Sequence, residues 1–291
     1  MKKPCVILSF LLFTFVILLL SSCMSSNQSL QDDPDNQPRI DFNDLPHKAY
    51  GYANVYGTKL ILLYDPELDD NSQLNHFKYA VGENGISFEV DYELFQELNF
   101  NSTTGRQTMW NFENEQGCVY TVKDTVAVPN DTYMLLTKEE YEKTVIAQEI
   151  TKAPEYNPIY EIEAECEQKA NRKIKDSWIL TEYQSGLQIV MLVFENIEES
   201  LLAWLVVKDG DRLDYCEFPA TYDGLSGWSM EDNGTLKEDY FSILCTLQND
   251  QIIIVYLNWF DFEGNVVYEL SFIPETKCSK RIVCGRYTSP L

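Results

Sequence analysis

The chain has 291 residues, 46 acidic against 22 basic, and a formal net charge of −24 at neutral pH. So negative a surface repels nucleic acid, whose affinity comes largely from lysine and arginine neutralising phosphates, and it repels anionic lipid headgroups too. With 45% apolar and 13% aromatic residues, disorder throughout is excluded, because that much apolar surface can offset the entropy of folding.

In chain order, Lys2 and Lys3 precede an apolar run from Cys5 to Leu20 that contains only Ser9 and Thr14 as hydroxyl residues. A positive start, a short apolar core and the small residues Ser21 and Ser22 form the pattern of a secretory signal. A bilayer-spanning helix needs roughly 20 apolar residues, and the sequence after Cys23 is too polar to extend the run. The stretch Leu20, Ser21, Ser22, Cys23 resembles the lipobox of bacterial lipoproteins, an aliphatic residue and two small ones before cysteine. The resemblance covers the first 23 residues alone. It implies diacylglyceryl transfer to the Cys23 sulfur, cleavage between Ser22 and Cys23, and acylation of the new amino terminus. It also implies a cell-envelope location. Stable anchoring takes two or more acyl chains, since one binds only marginally. Two other readings of the run stay open, a soluble exported protein and an uncleaved anchor.

The expected segments are a signal over residues 1–22, a lipid-anchored acidic linker over 23–46, a β-rich module over 47–154 and an antiparallel β domain over 155–291. The linker is polar with three prolines, and its first sixteen or so residues, as flexible coil, would span roughly 20–24 Å. From Tyr50 the chain reads as short strands bounded by Gly or Pro. "GISFEVDYELF" alternates, with Ile86, Phe88, Val90 and Tyr92 on one face. Thr137 followed by Glu140 is a capping box, with Leu136 and Tyr141 as its hydrophobic staple. That helix should stop before Pro154.

"IYEIEAECEQKANRKIK" fits both a strand alternation and a helical stripe of Ile159, Ile162, Cys166, Ala170 and Ile174. Its Glu, Ala, Gln and Lys content favours helix. Seven candidate strands follow, from "WILTEY" to "NVVYELSFI". Their short connections, the Asp209-Gly210 hairpin among them, call for an antiparallel meander. Sandwich and barrel are both open. The fold expected is mainly β with a minor helix.

Six cysteines follow Cys23. Cys245, in phase with Ile243 and Leu247, reads as a small core residue. Cys278 with Cys284 is the best disulfide candidate, a staple for the tail. No cysteine pair has zinc spacing, so no metal and no cofactor is expected. Neither His47 nor His76 lies in a catalytic motif, and "GLSGW", residues 224–228, lacks the last glycine of a serine-hydrolase elbow. "DPELDDNSQLNH", from Asp65, lacks the glycine at position six and the glutamate at position twelve of a calcium loop.

Two features are candidate partner sites. Lys169, Arg172, Lys173 and Lys175 follow four glutamates, and they either compensate those charges or form a face for an anionic surface. Trp228 sits in a glycine-rich loop, where an exposed indole can stack on a sugar or a partner. The expectation is a lipid-anchored binding protein that leans away from enzymatic activity. Its partner would be a cationic protein or a glycan, not nucleic acid, and the membrane is engaged only through the lipid. The alternatives are a carboxylate-dependent hydrolase of an envelope polymer and a barrel carrying a small apolar ligand.

Overall fold

Six strands close on themselves until the sixth meets the first. The computed structural model describes residues 46–289 except 65–67, 69, 144–158, 230–231 and 249–250. In it β1 (Lys48–Ala53), β2 (Lys59–Leu62), β3 (Tyr79–Val81), β4 (Ser87–Gln96), β5 (Gly117–Val122) and β6 (Thr132–Leu136) form a closed antiparallel barrel in the order β1-β2-β5-β4-β3-β6. Alternate side chains point inward, and Leu60, Leu62, Val90, Tyr120, Tyr133 and Leu135 pack in its core.

Phe88, Val90 and Tyr92 share the inner face as the alternation implies, while Ile86 precedes the strand and is 59% exposed. A bulge between Tyr92 and Leu94 then reverses the phase, so Phe95 packs inward. The β1–β2 turn needs a glycine. Gly57 has φ +66, and a Cβ there would lie 2.0 Å from the Ala127 carbonyl oxygen.

The short helix α1 (Lys138–Lys143) follows β6 and starts as its capping box implies, with the Thr137 hydroxyl accepting from the Glu140 amide at 3.1 Å. Tyr141 stacks on Tyr79 with ring centroids 3.9 Å apart. The boundary expected at Pro154 lies outside the described residues.

After α2 (Ile159–Ala170) come two four-stranded antiparallel meanders. The first is β7 (Ile174–Glu182), β8 (Gln188–Phe194), β9 (Ser200–Asp209) and β10 (Arg212–Thr221). The second is β11 (Phe241–Gln248), β12 (Ile253–Phe260), β13 (Gly264–Phe272) and β14 (Ser279–Tyr287). Residues 159–170 are therefore helix, while Ile174 opens β7.

The sheets pack face to face, with Ile189, Met191, Ala203 and Leu205 against Ile253, Val255, Leu257 and Leu270. Of the two open architectures, the C-terminal half adopts the sandwich. Its outer faces are covered too. Val190, Leu192, Phe194 and Val206 receive Ile159, Ile162 and Cys166 of α2. Leu244, Cys245, Tyr256 and Val267 meet Val81, Met134 and Leu136 of the barrel. The layers run helix, sheet, sheet, barrel. Strands covered on both faces read as continuous apolar runs, as "QIVMLVF" does, and all seven of its residues are buried.

The seven strands expected are joined by an eighth, β14, which the tail forms. One expectation is corrected. Cys245 is a core residue, but a bulge between Ile243 and Cys245 turns it onto the opposite face from Ile243.

Candidate functional site

Ser22 and Cys23 lie outside the described residues. Among those residues, no helix is long and apolar enough to cross a membrane.

The basic cluster is locally engaged. Lys169 pairs with Glu165 at 2.9 Å, one helical turn away, and Lys173 pairs with Glu167 at 2.6 Å. Lys175 lies 3.9 Å from Asp176. Arg172 donates to the carbonyls of Glu195 and Ser200, tying the β8–β9 connection to the end of α2.

Trp228 is half-buried against the sandwich core and its indole N–H donates to the Phe218 carbonyl at 2.8 Å. Asp232 holds its loop by accepting the amides of Gly227, Trp228, Ser229 and Gly234 at 2.7–2.9 Å. The exposed tryptophan is Trp110, at 68%. It lies in the polar stretch "TTGRQTMWNFENEQG", whose lack of strand alternation was the available signal.

Cys278 and Cys284 join different clusters. Cys284 is buried beside Cys245 and Val267, whereas Cys278 packs on the core that contains Cys216. Cys278 instead lines one recess with Cys216. Cys278 precedes β14 and Cys284 lies within it, each in a different cluster, and the spacing in sequence gives no hint of that.

A wide cleft lies where the barrel meets β14. It has a volume of about 760 Å³ and is lined by Pro46–Tyr50, Leu63, Tyr64, Leu74, Glu140 and Arg281–Gly285. That volume falls within the usual range for ligand sites, about 300–1,000 Å³. Beneath it is a satisfied ionic network. Glu269 accepts from Tyr256 Oη and Arg281 Nε, each at 2.8 Å, and lies 3.3 Å from Lys48 Nζ. Burial alone would raise the Glu269 carboxyl, but those hydrogen bonds and the Lys48 charge hold it below its ordinary range. Burial pushes the Tyr50 hydroxyl far up, so it stays neutral.

β14 ends its sheet. Along the cleft it presents Arg281, Ile282 at 59% exposure, and Val283 at a register shift.

Protein-family models, curated protein sequences and solved structures give no match to the chain. The site is therefore read from its own geometry.

A second recess of about 400 Å³ is walled by Phe218, Trp228, Trp259 and Tyr268, with Asp261 and Lys280 at its rim. Two carboxyls are displaced upward. Burial, with Glu83 nearby, pushes Asp131 up to about 6 against the pull of Arg286, and burial raises Glu115. They line recesses of only about 120 and 190 Å³, smaller than the usual range for ligand sites. Among the described residues no group of three His, Cys, Asp or Glu side chains is placed to hold a metal.

Proposed function

We propose that this chain is a cell-envelope lipoprotein, anchored through Cys23, whose body captures a cationic protein partner in the cleft between barrel and sandwich. The observation that carries this reading is the edge of β14 along the wall of that cleft. An edge strand exposes unpaired amides and carbonyls, and an extended segment of a partner can add to it as another strand. Charged side chains normally deter such pairing. On β14 the exposed charges of Lys280 and Arg281 give way to the apolar pair Ile282 and Val283. The net charge of −24 draws cationic partners from a distance, while Glu269 offsets part of the Lys48 and Arg281 charge locally.

The test places a photo-reactive side chain at Ile282 in the full chain within its native envelope. A dominant protein adduct, weakened by Ile282→Glu without loss of melting temperature, supports capture at β14. Recovery of glycan alone, or of nothing from folded protein, overturns it. The anchor has its own test. Labelled palmitate should enter the wild-type chain and not Cys23→Ser.

The aromatic recess around Trp228 favours a second reading, glycan binding, since aromatic faces stack on sugar rings. Retention of the chain on insoluble cell-wall glycan, lost in Tyr268→Ala, would move the site there.

A further inference from the structure

Cys216 lies on β10 of one sheet and Cys278 just before β14 of the other, yet both pack on one core cluster and line one recess. The surrounding contacts hold the same two segments together. Lys280 Nζ donates to the Glu217 carbonyl at 2.9 Å and sits 4.2 Å from the Phe218 ring centroid. Arg212 reaches from β10 to the Phe272 carbonyl at 3.0 Å. We propose that Cys216 and Cys278 are a modification site, the two halves of an inter-sheet disulfide that staples the β10 edge of the sandwich to the start of β14.

Three observations converge on this pair. Bridging requires that two cysteines already lie close, because backbone travel stores strain in the bond, and the Lys280–Glu217 hydrogen bond holds the residues beside this pair together across the seam. The pair is reachable, since both residues line a recess of about 710 Å³ that opens at the seam between the sheets. The other cysteines after Cys23 are poor competitors. Cys118, Cys166, Cys245 and Cys284 are buried in apolar clusters, and burial pushes their thiols up, which suppresses the reactive thiolate. Cys216 differs. The neighbouring Cys278 thiol, with Lys280 nearby, outweighs burial and holds it below its ordinary range.

The chemistry balances with a small disulfide such as oxidised glutathione as oxidant. One thiolate of the pair attacks it, forming a mixed disulfide and releasing one glutathione thiol. The second thiolate displaces the other glutathione from the mixed disulfide. Two electrons pass from the cysteines to the glutathione sulfurs, and the two cysteine protons end on the released thiols. The reaction depends on the folded body and not on the anchor, so it tests independently of the envelope reading.

The full chain is exposed to oxidised glutathione, free thiols are alkylated, and the digest is read by mass spectrometry without reduction. The expected result is a linked peptide pair containing Cys216 and Cys278, with Cys118, Cys166, Cys245 and Cys284 alkylated. The melting temperature should rise on the order of 10 °C on oxidation, for a closed loop of about 60 residues in a domain this size. Cys216→Ala and Cys278→Ala should melt near the reduced wild type and show no rise. Alkylation of both cysteines after oxidation, or a link from Cys278 to Cys284 instead, overturns the proposal. So does a linked pair that forms only in unfolded protein.

Discussion

Arg286 of β14 lies over the ring of Tyr52 in the barrel, its guanidinium 4.4 Å from the ring centroid. The side chain is only 6% exposed. Its fork donates to the carbonyls of Asn130 and Gln107 at 2.7 Å each, to Thr132 Oγ1 at 2.9 Å and to Asn130 Oδ1 at 3.0 Å. Burial lowers its pKa to about 10, still leaving it charged. One side chain from the last strand thus ties the sandwich to two loops of the barrel. Hydrogen bonds to a charged group are worth about 1.5–3 kcal/mol each, set against the cost of burying the charge. Arg286→Leu should lower stability by about 3 kcal/mol in urea titration. Arg286→Lys should recover less than half, because an ammonium cannot serve both loops as a planar fork does.

Asp131 and Glu269 should respond to pH in opposite directions. Asp131 binds its proton more tightly folded, at about 6 against 3.8, so its charged form destabilises the body above pH 6. That cost fades as pH falls through this window to the unfolded value. Asp131→Asn should therefore gain about 1–2 kcal/mol near neutral pH, after allowance for solvent screening of a partly exposed group, and nothing below about pH 3.5.

Glu269 has the opposite sign. Its folded pKa is depressed, so its contribution is present above the ordinary carboxylate range and is lost as pH falls through the folded value. Glu269→Gln should melt lower than wild type near neutral pH, and the two curves should converge in acid.

Trp228 should behave as a structural residue. Trp228→Phe keeps the ring but leaves the Phe218 carbonyl without its donor, a loss of about 1 kcal/mol. Trp228→Ala should cost about 2 kcal/mol, at the low end for large-to-small changes because the ring is only half-buried. Loss of partner capture by Trp228→Phe at unchanged stability would contradict this assignment.

The basic cluster should divide in two. Lys169→Ala, Lys173→Ala and Lys175→Ala should leave the melting temperature unchanged, since exposed ion pairs contribute little. Arg172→Ala should cost about 1–2 kcal/mol, because its hydrogen bonds to Glu195 and Ser200 hold a connection in place.

Local chemistry explains what was legible in the sequence. Thr137 and Glu140 marked a helix start because a capping box acts within one turn. Asp209-Gly210 marked a hairpin because a tight turn needs a residue that accepts positive φ, and Gly210 sits at +55. "QIVMLVF" and "LLAWLVV" announced strands, and the structure covers them on both faces. Bulges were not legible. At Leu94 and Cys245 one extra residue reverses the alternation, and no residue type at those positions signals it.

The sequence by itself determined the acidic surface, the β-rich composition, the helix stripe of Ile159, Ile162 and Cys166, and the order of the meander. Each depends on neighbours a few residues apart. Only the tertiary structure decided that β14 closes the second sheet. It alone brought Cys278 to Cys216, set Arg286 over Tyr52, and put the edge of β14 beside a cleft while half-burying Trp228. Those relationships join residues dozens to hundreds of positions apart. They are selected by which apolar faces find a mutual cover, a property of the packed layers and not of any one segment.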